Sequence, residues 1–124
     1  MRLTASPVRE LRLDNSLYLL SWLPPQQCVM TVACGMNFLS EANGSIFPCD
    51  LYALDEWRLG KINETSFARM ESEETMQSFL AKGLELPNAC RECKYLPICR
   101  RGCKRDRESD NAANRFCESY KHVF

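Results

Sequence analysis

The chain has 124 residues, 16 acidic and 16 basic side chains, and eight cysteines. Its length fits one domain with a modest core, and a balanced charge excludes any general attraction to nucleic acid or to a membrane surface. So many cysteines in so short a chain make either disulfides or bound metal the central question.

Residues Met1–Leu13 carry no strong period. Asp14 or Asn15 is placed to cap a short packing helix with Leu17, Leu20 and Trp22 as its apolar stripe, and Pro24-Pro25 ends it. Arg9, Glu10, Arg12 and Asp14 precede that apolar run, which is too short to span a bilayer and lacks a small-residue cleavage site after it. The chain therefore reads as cytoplasmic, where thiols stay reduced and clustered cysteines are metal ligands rather than disulfides.

Phe38–Phe47 reads as a hairpin, because Asn43-Gly44 between β-prone runs favours a type I′ turn with positive φ at both central residues. Such a hairpin carries Cys34 before one strand and Cys49 after the other, bringing two thiols to one end. Leu59–Asn63 is a short strand or turn. Ser66–Met70 and Glu73–Lys82 have helical spacing in Phe67, Met70, Met76, Phe79 and Leu80, with Gly83 suited to the position just past the second helix. Beyond Pro87 the chain is too polar to fold by burial alone, so metal binding is expected to order it. The fold class expected is small α+β: a β-hairpin, short helices and a cysteine-rich irregular C-terminal segment.

The cysteines follow C-x5-C-x14-C and then C-x2-C-x5-C-x3-C-x13-C. His122, the one histidine, lies in the tail. Structural zinc sites usually pair two C-x2-C knuckles or mix in histidine, and this chain has a single C-x2-C. The run Cys90–Cys103 is closer to ferredoxin-type runs, in which the last cysteine can serve a second cluster. Spacing by itself leaves the division of eight ligands open. Arg91, Lys94, Arg100, Arg101, Lys104, Arg105 and Arg107 would offset the negative charge of such a cluster, or else form a solvated charged loop.

Cys34-x9-Gly44-x4-Cys49, Cys90-x2-Cys93-x5-Cys99-x3-Cys103 and Cys117 resemble the SPASM domain of radical S-adenosylmethionine enzymes. Asn43–Tyr52, Trp57–Asn63 and Phe116–Lys121 are similar to the anaerobic sulfatase-maturating enzymes. The resemblance runs from Cys28 to Phe124. It implies residues 28–124 as a domain with two auxiliary [4Fe-4S] clusters, and residues 1–27 as an N-terminal strand/helix linker segment. It further implies Cys28, Cys34, Cys49 and Cys103 as ligands of the first cluster, Cys90, Cys93, Cys99 and Cys117 as ligands of the second, and Asp50 as proton acceptor from a substrate cysteine or serine.

Two departures stand out. The family's glycine pair before the last cysteine of the run is here Arg101-Gly102. No C-x3-C-x2-C loop for S-adenosylmethionine is present either, since Asp106 stands where its third cysteine would be. The expectation is an auxiliary iron–sulfur domain of a sulfatase-maturase-like protein, as a fragment, a truncated product or an expressed domain, unable by itself to cleave S-adenosylmethionine. Its expected partners are a radical S-adenosylmethionine barrel or a sulfatase peptide. A ferredoxin-like electron carrier and a structural two-zinc module are the alternatives.

Overall fold

A computed structural model describes residues 11–31 and 33–124; the first ten residues, with Arg9 and Glu10, and Val32 lie outside the described residues. The first element, α1 (Leu11–Leu20), already contains Asp14 and Asn15, so neither caps it. Asn15 is instead fully buried inside the helix. Its Nδ2 donates to the Leu11 carbonyl at 2.6 Å, and its Oδ1 accepts from the backbone N–H groups of Gln26 and Gln27, the latter at 3.1 Å. A residue expected to start a helix thus ties the chain returning after Pro24-Pro25 to its side. The helix stops in a double backbone closure, Leu23 N to Tyr18 O at 2.8 Å and Trp22 N to Leu19 O at 3.2 Å. That closure requires a left-handed residue, and Trp22 supplies it with φ 59°. Leu17, Leu20 and Trp22 are 55%, 61% and 95% exposed, so the expected apolar stripe is not the face that this chain buries. The helix rests against a later helical turn, Leu96–Cys99.

The hairpin forms with a turn other than the one expected. β1 (Leu39–Ser40) pairs antiparallel with β2 (Ser45–Phe47) in the register Leu39–Phe47 and Ser40–Ile46, and β2 pairs antiparallel with β3 (Gly60–Lys61). Gly44 alone in the loop has positive φ, at 81°. The Gly44 N–H donates to Glu41 O at 2.9 Å and the Glu41 N–H to Ser45 O at 3.0 Å. This is a three-residue loop closed by a left-handed glycine rather than a type I′ turn. Asn43 contributes through its side chain, whose Oδ1 accepts from the Ser45 N–H at 2.8 Å.

Two helices cover the sheet. α2 (Phe67–Ser72) is capped by Ser66, whose hydroxyl accepts from Arg69 N, and α3 (Glu74–Leu84) follows at once. Ile46 of β2, Leu59, Met70, Met76 and Phe79 form the buried cluster, with Phe38, Tyr52, Trp57 and Leu80 leaning on it. Gly83 lies within α3 rather than past its end. The segment after Pro87 is irregular chain punctuated by single turns, α4 (Asn88–Arg91) and α5 (Leu96–Cys99), before α6 (Cys117–Val123). His122 belongs to that last helix and is exposed. Among the described residues no helix is long and apolar enough to cross a membrane.

Asn15→Ala strands two backbone donors after the proline pair, at a cost of about 1–3 kcal/mol for buried groups left unpaired. The expected result is a lower urea midpoint with an unchanged m value.

Candidate metal centre

All eight cysteines are free thiols, and only Cys28 is exposed. Cys90, Cys93, Cys99 and Cys117 line a single cavity together with Tyr95, Arg101 and Tyr120. Local structure explains their convergence. Cys90 sits on α4, and the Cys93 N–H donates back to Cys90 O at 3.2 Å. Cys99 ends α5 and Cys117 begins α6. The chain leaves α5 through three successive left-handed residues, Arg100, Arg101 and Gly102, with φ of 53°, 73° and 66°. At Gly102 a Cβ would also lie 2.7 Å from Asn114 Nδ2, so glycine is required there on two grounds.

The other four thiols come from farther apart. Cys28 opens a 3-10 turn, Cys28–Met30. Cys34 and Cys49 both pack on the buried cluster around Phe79. Cys34 comes so near α3 that a Cβ on Gly83 would stand 3.0 Å from its Sγ and 3.1 Å from its Cβ. Cys103 precedes a 3-10 turn, and its Sγ accepts from the Arg105 N–H at 3.4 Å.

Electrostatics separates the same two groups. Burial pushes up the thiols of Cys34, Cys90, Cys99 and Cys103, and takes Cys49 up to about 11. The thiol neighbours that weigh most on Cys34, Cys49 and Cys103 are Cys28, Cys34 and Cys103 themselves. Those that weigh most on Cys90 and Cys99 are Cys90, Cys93 and Cys117. Uptake of metal must displace the protons these thiols hold, so it weakens as pH falls.

Soft thiolate donors are the ligands that an iron–sulfur core takes, and this chain offers eight of them, four around one cavity.

Asp50 is exposed beside the Cys49–Phe79 region. Its Oδ1 accepts from Cys49 Sγ at 3.2 Å and from the Leu51 N–H at 3.0 Å. The basic stretch divides by direction. Arg91, Lys94 and Arg105 are exposed, whereas Arg101, Lys104 and Arg107 turn inward. Lys104 Nζ donates to Phe79 O and lies 3.2 Å from the Phe79 ring centroid, 5.0 Å from Tyr52 and 5.7 Å from Trp57. Sequence reading assigned no task to the Tyr52–Trp57–Phe79 group, and gave Gly83 only the place just past the second helix. The aromatic spacing looks like ordinary core, and only the fold shows that a cation sits on it beside Cys103.

Residues 34–94 match the family model of SPASM, an iron–sulfur cluster-binding domain. The cysteine-type anaerobic sulfatase-maturating enzyme of Clostridium novyi (strain NT) is 36% identical over 115 residues, which are 90% of this chain and 31% of that protein. The serine-type enzyme of Bacteroides thetaiotaomicron is 31% identical over 114 residues, 86% of this chain and 28% of its own length. Native anSMEcpe with bound AdoMet superposes with a TM-score of 0.83 at 31% identity, over 90% of this chain and 31% of that one. The same protein with AdoMet and the Kp18Cys peptide gives 0.82 at 31% identity, over 90% and 32%. The chain thus spans about a third of the length of these relatives. These likenesses favour the auxiliary-domain reading over the ferredoxin-like and two-zinc alternatives.

Gly83→Ala forces Cys34 to give way by a few tenths of an ångström. We expect a stability loss of about 1–3 kcal/mol from overpacking and a lower iron content after anaerobic reconstitution, read by denaturant titration and iron analysis.

Proposed function

Since the chain belongs to the SPASM family of iron–sulfur cluster-binding domains, we propose that it holds two [4Fe-4S] clusters and acts as the auxiliary-cluster domain of a sulfatase-maturating radical enzyme. Cys28, Cys34, Cys49 and Cys103 hold the first cluster, and Cys90, Cys93, Cys99 and Cys117 the second. The observation that carries this reading is the cavity lined by the last four thiols, with the other four left as a separate electrostatic group. Residues 28–124 form the cluster domain, with residues 1–27 as an N-terminal strand/helix linker segment. Its partners are a barrel that binds S-adenosylmethionine and a peptide carrying the cysteine or serine that becomes formylglycine. The natural setting is the cytoplasm, where the thiols remain reduced until they are loaded.

Bound clusters supply one-electron acceptors; the protein's own groups do the rest. Cys49 gives up its proton on becoming a ligand, which frees Asp50 Oδ1 from the Cys49 S–H. Leu51 N–H still orients the carboxylate. Asp50 is then an exposed carboxylate directly beside a cluster ligand, placed to take the proton of a substrate thiol or hydroxyl at its Oδ atoms. Lys104 holds positive charge beside Cys34 and Cys103 and leaves its contact with the Phe79 carbonyl facing inward.

Anaerobically reconstituted protein should contain about eight irons with matching sulfide. Cys49→Ala and Cys99→Ala should each remove about half, from different clusters, and the double variant nearly all. Equal loss of both clusters from either single variant overturns the ligand assignment. Asp50→Asn should keep full iron and lower formylglycine formation, in an enzyme carrying this domain, by about 10²-fold or more. Unchanged turnover would remove Asp50 from the proton step.

A further inference from the structure

We propose that Arg101 and Arg107 form one cationic wedge shared by the two cysteine groups, so that a single pair of side chains sets the reduction potentials of both clusters. The inference rests on the two-cluster reading above.

Arg101 is 5% exposed although its backbone, with φ 73°, adopts a conformation that an L side chain rarely takes. What holds it there is the guanidinium. Its Nη1 donates to Leu84 O and Glu85 O, both at 2.7 Å, clasping the end of α3. One residue earlier on α3 stands Gly83, against which Cys34 packs closely. The same Arg101 side chain lines the cavity of Cys90, Cys93, Cys99 and Cys117. It therefore touches the cavity of one group and the end of the helix on which Cys34 of the other group rests.

Arg107 joins it from just beyond the Lys104–Asp106 turn. Its Nη1 donates to the same Glu85 carbonyl at 3.2 Å, and its Nε is buried with no hydrogen-bond partner among the described residues. Two guanidinium groups converging on one carbonyl repel each other. Negative charge on both sides turns the arrangement favourable. Both arginines act on Cys34 and on Cys90, one thiol from each group, whereas the thiols that weigh most on Lys104 are Cys34, Cys103 and Cys49, all of the first group. Reduction adds an electron to an already anionic thiolate-bound cluster, so a nearby cation makes that step easier.

The test uses the full chain, reconstituted anaerobically, with iron and sulfide counted first and both clusters then titrated with dithionite under electron paramagnetic resonance. Arg101→Gly removes the charge at a backbone position that glycine takes without strain. We expect full iron content and both clusters harder to reduce, each with a reduction equilibrium about tenfold less favourable, about 59 mV for one electron. Arg101→Lys should return both potentials toward the parent values even if its single ammonium grips α3 less well. Lys104→Gln should shift one cluster only. Two results overturn the wedge: an Arg101→Gly protein with full iron in which neither potential or only one moves, or an Arg101→Lys protein as altered as the glycine variant, which would make Arg101 a clamp and not a charge. A parent protein without eight irons fails earlier, at the metal analysis, and takes the two-cluster reading down with the wedge.

Discussion

Everything in this chain depends on holding eight thiols in two separate groups with very little apolar material to do it. The buried cluster is small, built on Ile46, Leu59, Met70, Met76 and Phe79. It can support only one group directly, the one in which Cys34 and Cys49 press against it. The second group stands on a polar segment whose shape comes from single helical turns, backbone closures and side chains that reach carbonyls. Metal bound at the proposed ligands would add directly to the stability of such a segment, because binding free energy then counts as folding free energy.

The links between the halves are therefore few and specific. Arg101 and Arg107 grip the end of α3, Lys104 grips the Phe79 carbonyl from the far side of Cys103, and Lys82 pairs with Asp110 at 3.4 Å. That exposed ion pair contributes little. The three inward cations do more, because each satisfies a helix carbonyl while placing positive charge among thiols. A basic stretch that reads in sequence equally well as a solvated loop is divided by the fold into residues that solubilise and residues that hold the halves together.

Much of this was legible in the sequence, and the failures have physical causes. The cysteine spacing and its resemblance to the SPASM pattern led to the right family, because metal ligands tolerate little drift. The hairpin was visible from Asn43-Gly44, but the turn type was not. Asn43 has an alternative to positive φ, an acceptor side chain that closes the loop onto Ser45, and composition does not reveal which route is taken. Asn15 misled for the same reason, since a capping side chain and a buried tether look alike until the returning chain is seen. Gly83 read as a helix stop because glycine commonly ends helices; its place inside α3 reflects the close approach of Cys34, a contact between residues 49 positions apart. Long-range contacts of this kind leave no local signature.

The two tryptophans are placed as opposites. Trp57 meets Tyr52 and Phe79 edge-on, at 6.1 Å and 5.6 Å between ring centres, on the core flank where Cys34 and Cys49 also pack. Trp22 is 95% exposed at the end of α1. Trp22 shares a surface hollow with Pro97, Ile98 and Arg100, the chain on either side of Cys99. Each indole thus stands near one of the two cysteine groups, Trp57 on the core flank and Trp22 at the surface, and only the second is bathed in water. Since iron–sulfur centres absorb in the near ultraviolet where indole emits, loading of the proposed clusters would be read at two wavelengths, one for each group.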